Sequence, residues 1–301
     1  MPNAAPDDAP VDAPIDIIED AVIIAAGRGT RMRPSTRVVP KEFLPNFDRP
    51  LIHTTIEEAI ACGAKRICIV TSQRSAPFLE RYFAPLDAEE RGDPKMAPLR
   101  ALLDTVEVTW VDQPEAKGTG NATLYAREAV DGRPFLLMLP DVVFPGEPPG
   151  RALAAARARL GGSVISVSPV PRAAFDRYGL VDGEEAEPGV TRLRGISEKP
   201  GPDYPKDVAP GINGRYVLQP GIFDAIEEVQ RRGITVKGET NLTDAMVLLA
   251  EQEPFFALDY PGPQIDSGHP AGYLVASVAT ALARADVSDE VRAELRALLD
   301  G

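Results

Sequence analysis

Short apolar runs alternate with amphipathic stretches along the chain from residue 21 onward. The apolar runs of the first half have few polar interruptions, which is typical of strands covered on both faces of a sheet. These runs lie at 21–26, 66–71, 106–111 and 135–139. Apolar residues at helical spacing occur between them, at 54–62, 76–83 and 119–130. This alternation predicts a parallel sheet wound with helices.

The second half of the chain has a less regular pattern, in which proline and glycine separate the elements. The pattern predicts strands at 163–168, 193–198, 211–218 and 255–259, and helices at 223–232, 242–251, 272–285 and 288–299. Residues 85–104 mix charges with proline and are predicted to form a surface insertion. We therefore expect an α/β fold with a mostly parallel central sheet and a smaller, β-rich second part.

The two ends of the chain differ from the region between them. Residues 1–18 are alanine, proline and aspartate in near alternation, which predicts a flexible acidic leader. Residues 19–285 are predicted to form a single domain, with halves at about 19–145 and 146–285. Residues 286–301 are predicted to be a C-terminal helix packed on the body, because their apolar residues recur at helical spacing.

The chain is acidic, with 45 acidic and 32 basic residues among 301 and a formal charge of −13. This surplus argues against a nucleic-acid partner and against docking on an anionic membrane, both of which need clustered lysine and arginine. The sequence has neither a secretory signal nor an apolar run of membrane-spanning length. We therefore expect a cytoplasmic protein, in which Cys62 and Cys68 are reduced and buried among apolar neighbours.

A glycine-containing loop directly after the first predicted strand is the most distinctive local feature. Its sequence is AAGRGTRM at 25–32. Glycines in this place let the backbone approach a ligand closely and turn its N–H groups toward anions. The dinucleotide fingerprint would need a third glycine where Met32 stands, and Walker A would need Gly-Lys-Ser/Thr, so both are excluded. A phosphate-binding loop and a plain turn remain as alternatives.

A lysine between two prolines follows this loop, in the segment PKEFLP at 40–45. Lys41 lies close in sequence to Arg28 and Arg31, so the three cations could focus positive charge on phosphate groups. The alternative interpretation is a solvated lysine on the surface.

Together these two segments resemble the signature of bacterial sugar-1-phosphate nucleotidyltransferases, above all the UTP–glucose-1-phosphate uridylyltransferase family. The similarity begins at Ala21–Leu51 and continues at intervals, in the same order, to about Thr280. It implies a Rossmann-like, glycosyltransferase-A-like fold with a nucleotide-binding half at about 19–145 and a sugar-binding half at about 146–285. It also implies that a nucleotidyl group passes from an NTP to a sugar 1-phosphate, giving an NDP-sugar and pyrophosphate.

The segment QPEAKGTGNA at 113–122 follows a predicted strand and opens a predicted helix. The amide of Gln113 offers a donor and an acceptor, enough to recognise the edge of a pyrimidine, and Gly118 leaves room for the ring. An ordinary glutamine in a loop is the alternative. In the family, the matching glutamine and glycine hold uracil, which implies the same for this pair.

Two aspartates follow strand-like runs. Asp141 stands just beyond the run at 135–139, and Asp266 follows the run at 255–259 after a short Pro-Gly turn. Carboxylates at the ligand-binding edge of an α/β sheet could hold Mg²⁺ beside nucleotide phosphates, whereas each aspartate alone could equally cap a turn. The resemblance implies that this pair is the Mg²⁺ site.

The resemblance also implies roles for the remaining candidate residues. Arg31, Lys41 and Lys199 are the expected catalytic cations. The expected nucleotide-binding residues are Ala25, Ala26, Gly27, Gly29, Thr30, Gln113, Gly118 and Asp141, and the expected sugar-binding residues are Gly179, Glu198, Lys199 and Asn213. Because the acceptor phosphate is already mostly dianionic at neutral pH, with a second pKa near ~6, no general base is required. We expect a structural role for His53.

Several positions depart from the family pattern and leave the substrates open. Asn121 replaces a common histidine, Gly238 and Asn241 replace a common aspartate and glutamine, and His269-Pro270 replaces Asn-Lys. UTP and glucose 1-phosphate are favoured, with dTTP or another NTP and another sugar or cyclitol phosphate as alternatives. A catalytically silent protein that binds a sugar nucleotide and regulates an enzyme is a further alternative. By resemblance we also expect a homo-oligomer, either a dimer or a tetramer.

Overall fold

The computed structural model describes residues 18–236, 238–284 and 286–300. The predicted leader therefore lies outside the described residues, apart from Ile18, which is buried. Thirteen strands occur in the described part: β1 Asp20–Ile24, β2 Pro45–Asn46, β3 Arg49–Pro50, β4 Arg66–Thr71, β5 Glu107–Asp112, β6 Phe135–Met138, β7 Val142–Val143, β8 Ser163–Pro171, β9 Gly179–Glu187, β10 Val190–Glu198, β11 Val208–Leu218, β12 Phe255–Asp259 and β13 Ile265–Asp266.

The helices surround these strands. In the described residues they are α1 Leu51–Ala61, α2 Ala76–Tyr82, α3 Ala88–Gly92, α4 Ala97–Thr105, α5 Thr119–Leu124, α6 Arg127–Val130, α7 Gly150–Leu160, α8 Gly221–Arg231, α9 Leu242–Ala250, α10 Pro270–Ala283 and α11 Ser288–Asp300. Short 3-10 turns occur at Thr30–Met32, Ser35–Arg37, Lys41–Phe43, Pro94–Met96 and Arg172–Ala174. None of the helices in this part of the chain combines the length and apolarity needed to cross a membrane.

One nine-stranded sheet in the described residues joins both halves of the chain, in the order β5-β4-β1-β6-β11-β8-β12-β10-β9. The first four strands pair in parallel, as the alternating pattern predicts. Beyond β6 the sheet is mixed, because β11 is antiparallel to both β6 and β8, whereas β12 is parallel to β8. The expected α/β class is therefore present, with the parallel pairing concentrated in the first half.

The sheet is covered on both faces, which explains the uninterrupted apolar runs of its central strands. Val22 of β1 packs in a core with Ile222 and Leu249 of α8 and α9. The next residue along the strand, Ile23, packs on the opposite face with Ile56 of α1. Successive side chains of a strand point to opposite faces, so both must be apolar when helices lie on each side.

Two predicted segments differ from the structure in how deeply they are buried. Residues 85–104, predicted as a surface insertion, are mostly helical, and Leu102 of α4 contributes to the core. The C-terminal helix α11 contacts α10, but Leu298 and Leu299 are 78% and 86% exposed. The prediction that this helix packs on the body therefore holds for only part of its apolar side, since no described element covers its last turn.

Candidate active site

A cleft of about 690 Å³ opens at the end of the sheet where β1 and β6 finish. This is the carboxyl edge of the parallel strands, where α/β sheets usually bind ligands. The glycine loop after β1, the start of α5, the β9–β10 hairpin and the segment before α9 line the cleft. Strand pairing across the whole chain therefore assembles the cleft from motifs that are far apart in sequence.

The glycine loop turns sharply at its second glycine. Gly29 has a left-handed backbone conformation with φ of 60°, and the hydroxyl of Thr36 donates a hydrogen bond of 2.7 Å to its carbonyl. A Cβ at Gly27 would lie 3.6 Å from the Lys41 Nζ atom, so the loop passes directly over the lysine. Ala26, Gly27, Gly29 and Thr30 all line the cleft, whereas Ala25 is buried at 1% exposure.

Lys41 forms an ion pair with Asp141, although the two residues are far apart in the sequence. The Lys41 Nζ to Asp141 Oδ2 distance is 2.6 Å, and the side chains are only 17% and 15% exposed. Burial alone would lower the pKa of Lys41, but the charge of Asp141 and the hydrogen bond to it outweigh burial and raise the pKa. Burial would likewise raise the pKa of Asp141, but Lys41 and then Arg31 outweigh it and lower the pKa. Both groups are therefore charged at neutral pH.

Arg31 and Asp266 form a second pair beside the first, with 3.3 Å between Arg31 Nη1 and Asp266 Oδ2. β13 pairs with β7 so that Asp266 lies opposite Val142, which is the neighbour of Asp141. A Cβ built on Gly268 would lie 2.9 Å from Asp266 Oδ1 and 3.0 Å from Asp141 Oδ2. The two carboxylates therefore converge on the small space that this glycine leaves open.

This space fits a divalent cation of the hard, oxygen-preferring kind. Two carboxylates from separate loops face it, although Arg31 Nη2 lies nearest, 2.6 Å from the position of a Gly268 Cβ, so the guanidinium would have to move aside for a cation. No cluster of three or more His, Cys, Asp or Glu side chains suited to a metal exists among the described residues. Such a cation would therefore need oxygen ligands from a bound phosphate and water, which is the usual way that Mg²⁺ binds.

One end of the cleft carries the predicted base-binding residues. Gln113 is only 4% exposed, and its Nε2 atom donates to Asn121 Oδ1 at 2.8 Å and to the Gly118 carbonyl at 3.4 Å. Gly118 has φ of 99°, and a Cβ there would collide with the carbonyl oxygen of Thr240. Glycine is therefore required at position 118 by backbone conformation and by the close approach of another loop.

The other end of the cleft carries the predicted sugar-binding residues. Antiparallel pairing of β9 with β10 sets Glu198 opposite Gly179, and a Cβ at Gly179 would lie 3.1 Å from Glu198 Oε2. Lys199 has φ of 47°, which is rare for a residue with a side chain. Its Nζ atom lies 2.5 Å from Glu198 Oε1, and its side chain is 54% exposed. This unusual backbone conformation holds the lysine at the edge of the cleft.

Asn213, a predicted sugar-binding residue, does not line the cleft and is 1% exposed. Its side chain is buried and donates hydrogen bonds to the Ser166 and Ser168 hydroxyls, at 2.8 and 3.0 Å. Its neighbour Ile212 lines the cleft instead. The register of β11 against β8 shifts between Ile212 and Tyr216, and the contact of Asn213 with the sugar stays a prediction.

Several cleft residues were not among the candidates. Arg177 lines the cleft beside Tyr178, and its Nη1 atom lies 3.4 Å from His269 Nε2. A second cleft of about 490 Å³ adjoins the glycine loop, and besides the candidates Arg28 and Lys41 it is lined by the cations Arg33, Arg74 and Lys117. All of these residues except Arg74 lie close in sequence to a motif, so the sequence could have indicated them. Arg74 comes near the glycine loop only through the parallel pairing of β1 with β4.

The fold and this paired set of cations and carboxylates define a nucleotidyltransferase, and the model of the nucleotidyl transferase family matches residues 20–280. The chain belongs to this family and, within it, to the UTP–glucose-1-phosphate uridylyltransferases. A protein of that name from Bacillus subtilis is 34% identical over 292 residues, which cover 94% of this chain and 98% of the relative. The enzyme class inferred from the motifs is thereby confirmed.

Solved structures give the same result. The crystal structure of a UDP-glucose pyrophosphorylase complexed with UDP-glucose is 30% identical, with a TM-score of 0.78, and the match covers 89% of this chain and 100% of that one. A UTP-bound enzyme of this kind from Acinetobacter baumannii is 28% identical, with a TM-score of 0.80, and the match covers 93% of this chain and 99% of that one. The predicted α/β nucleotidyltransferase fold is therefore confirmed.

Proposed function

We propose that this chain transfers the uridylyl group of UTP to glucose 1-phosphate, forming UDP-glucose and releasing pyrophosphate. One observation carries the proposal. The pairs Lys41–Asp141 and Arg31–Asp266 lie beside the glycine loop, which lines the cleft together with the predicted base-binding and sugar-binding residues. The names of the relatives support UTP and glucose 1-phosphate as the substrates.

The chemical step needs positioning more than it needs proton transfer. An oxygen of the sugar phosphate attacks the α-phosphorus of UTP in line, the new P–O bond forms, and the bond to the β-phosphate oxygen breaks as pyrophosphate leaves. The attacking group is already largely dianionic at neutral pH. Reactions of this type are accelerated by positioning and by stabilisation of the developing charge.

The cations of the cleft would bring the two anions together. The backbone N–H groups of the glycine loop and the Arg31 guanidinium would hold the triphosphate, while Lys41 would bridge the reacting phosphates. Lys199, at the opposite edge, would fix the phosphate of the acceptor. Each of these side chains lies beside a carboxylate, so the carboxylates hold the cations in place before substrate arrives.

We further propose that Asp141 and Asp266 hold a divalent cation, which we expect to be Mg²⁺. When bound, such an ion would neutralise charge on the α-phosphate of UTP. The lowered pKa of Asp141 keeps this carboxylate ionised and available as a ligand at neutral pH. Lys41 pairs with Asp141 and Arg31 pairs with Asp266, so both cations lie beside the carboxylates that would hold the divalent cation.

The two ends of the cleft would recognise the organic parts of the substrates. Gln113 and Gly118, which both line the cleft, would hold the uracil. Glu198 would accept hydrogen bonds from sugar hydroxyls, with Gly179 opening the space above its carboxylate. Recognition of uracil by an amide does not distinguish UTP from dTTP, so dTTP stays an alternative. A dimer or tetramer also stays a proposal.

Pyrophosphate release tests the proposed function directly. The chain should be assayed with Mg²⁺ and a matrix of UTP, dTTP, CTP, ATP and GTP against several sugar 1-phosphates, with the sugar nucleotide identified by mass. We expect the highest kcat/KM with UTP and glucose 1-phosphate. Preference for another pair would change the substrates but keep the reaction. Release from no pair, together with binding of UDP-glucose, would favour the regulatory binding protein.

A further inference from the structure

The nitrogen and the oxygen of the Gln113 amide have different surroundings. Its nitrogen donates to Asn121 Oδ1 at 2.8 Å and to the carbonyl oxygen of Gly118 at 3.4 Å. Within the part of the chain that the structure describes, no donor reaches Oε1 of this 4%-exposed residue, and Gln113 lines the cleft. The protein therefore satisfies the donor half of the amide and leaves the acceptor half for a ligand.

The carbonyl of Gly118 sets which way the amide faces. A carbonyl oxygen is only an acceptor, so rotating the amide to exchange its oxygen and nitrogen would bring two oxygens together. Asn121 could adapt to either orientation, since its own amide carries both kinds of atom. When Gln113 Nε2 donates to the Gly118 carbonyl, Asn121 Oδ1 accepts the second hydrogen bond from the same nitrogen.

Asn121 is itself held by the protein. It lies on α5, where the backbone N–H groups of Gly120 and Asn121 donate to the Thr240 carbonyl at 3.0 and 3.4 Å. The loop before α9 thus fixes the backbone at the start of α5, from which the Asn121 side chain reaches Gln113. The orientation of the amide is built into the cleft before any base is present.

We propose that Asn121 is a specificity-determining residue, which acts together with the Gly118 carbonyl to keep Gln113 turned so that it presents only an acceptor to the base. Uracil carries an N3–H donor on its recognition edge, whereas cytosine carries a lone pair on N3. An acceptor at Gln113 Oε1 therefore matches uracil and repels cytosine. A buried polar group that faces the wrong partner costs more than a lost hydrogen bond, so a single fixed amide discriminates strongly.

This inference rests on the proposed function, because it names the part of the nucleotide that the cleft selects. Its test is the ratio of kcat/KM for UTP to kcat/KM for CTP, both measured with glucose 1-phosphate. Because both values come from the same enzyme preparation, partial unfolding lowers both and leaves the ratio unchanged. The variants are Asn121→Leu, which has similar shape and no hydrogen bond, and Asn121→Asp, which keeps an acceptor for Gln113 Nε2. Tyr125→Leu, at an exposed position one turn along, is the matched control.

We expect Asn121→Leu to lower the UTP-to-CTP ratio by about tenfold or more, because the Gln113 nitrogen then loses its shorter hydrogen bond and only the 3.4 Å contact with the Gly118 carbonyl opposes rotation of the amide. Asn121→Asp should keep the ratio within about threefold of the unmodified chain, and so should Tyr125→Leu. An unchanged ratio in Asn121→Leu, or equal loss in Asn121→Asp, would overturn the inference. If Asn121→Leu does not fold, Asn121→Ala takes its place with the same expected loss. A chain that makes no UDP-glucose at all would instead refute the proposed function.

Discussion

Arg215 and Glu58 form a buried ion pair directly beneath the loop that carries Asp141. The Arg215 guanidinium donates to the Glu58 carboxylate at 2.7–2.9 Å, and the side chains are 2% and 7% exposed. The same guanidinium donates to the carbonyls of Leu139 and Val142, at 2.8 and 3.1 Å. These carbonyls lie on either side of Asp141, so one buried cation fixes the backbone that presents this carboxylate.

This relationship predicts that stability and activity separate in variants of the pair. Arg215→Met alone would leave the Glu58 carboxylate buried without a partner, at a cost of about 3–5 kcal/mol in the free energy of unfolding. Adding Glu58→Leu should restore much of that stability, because two apolar side chains replace the ion pair. The carbonyls around Asp141 would still lack their donor, so we expect kcat to stay at least about tenfold low.

Urea unfolding and steady-state kinetics on the single and double variants measure both quantities. Recovery of kcat together with stability in the double variant would show that Arg215 does not position Asp141.

Replacing Asp141 should remove activity and leave the fold in place. Asp141→Asn keeps the size of the side chain but removes the charge that pairs with Lys41 and that would hold the divalent cation. We expect turnover to fall by about a thousandfold, as for loss of a principal electrostatic contact in a transition state. Pyrophosphate release measures the loss of activity, and a thermal melt checks that the fold is retained. Near-normal turnover with Mg²⁺ would be incompatible with the proposed site.

A methyl group at Gly268 should fill the space between the two carboxylates. The Cβ of Gly268→Ala would lie 2.6 Å from Arg31 Nη2 and within 3.0 Å of both Asp266 Oδ1 and Asp141 Oδ2. These contacts are too close, so the side chains must move apart. We expect a rise of about tenfold or more in the Mg²⁺ concentration needed for half-maximal rate. Gly146→Ala is the control, because its Cβ would meet no atom within 4 Å. Equal Mg²⁺ dependence in both variants would argue against this cation site.

Removal of the Lys199 side chain should affect one substrate more than the other. Lys199 lies beside Glu198 at the sugar end of the cleft, away from the base end at Gln113. We expect Lys199→Ala to raise KM for glucose 1-phosphate by about tenfold to a hundredfold, through loss of a charge-assisted contact with phosphate. KM for UTP should change far less. Initial rates with each substrate varied in turn give both constants, and unchanged kinetics with glucose 1-phosphate would refute this role.

Stability at acid pH should depend on Asp20 at the start of β1. Burial alone would raise the pKa of Asp20, but hydrogen bonds from Arg66 and Arg133 outweigh burial and lower the pKa below its ordinary value of 3.8. A carboxyl whose pKa is lowered by folding stabilises the protein above its unfolded pKa and loses that contribution as the pH falls through its folded pKa. Asp20→Asn should therefore lower the free energy of unfolding by about 1–2 kcal/mol at pH 7. The difference in the free energy of unfolding between Asp20→Asn and the unmodified chain should shrink below pH 3.8. Denaturant titrations at pH 7 and below pH 3.8 measure this difference.

The four first-half strands of the central sheet could be located from the sequence within one or two residues, whereas the two-residue strands β2, β3 and β7 were not predicted. β4 matches its predicted bounds at 66–71, because every residue of this strand but the first is buried. The β9–β10 hairpin was only half predicted, since β9 ends in the exposed run GEEAE and has no apolar periodicity there. α7 was missed, because its sequence GRALAAARARL has few strongly apolar residues. Patterns of apolar residues identify elements only where burial is nearly complete.

The sequence could place some of the candidate site residues but not others. Lys41 and Gln113 could be recognised from short motifs, because each motif keeps its functional groups within a few residues of a turn or a strand end. The role of Asn213 could not be judged, because the direction in which a strand residue points depends on the register of β11 against β8. The contacts of Arg215 with Val142 and Leu139 could not be predicted either, because these residues lie 73 and 76 positions before Arg215 in the chain.

The amino-acid sequence alone established the α/β class, the glycine loop and the residue types that handle phosphates, since these depend on local spacing and on burial of neighbouring side chains. Only the tertiary structure paired Lys41 with Asp141 and Arg31 with Asp266, buried the Asn213 side chain against Ser166 and Ser168, and placed Asn121 as the acceptor for the nitrogen of Gln113. Strand register and loop packing decide these contacts, and both are set by pairing between segments that are distant in the chain. A motif can supply a chemical group, but the direction in which that group faces is determined by what packs behind it.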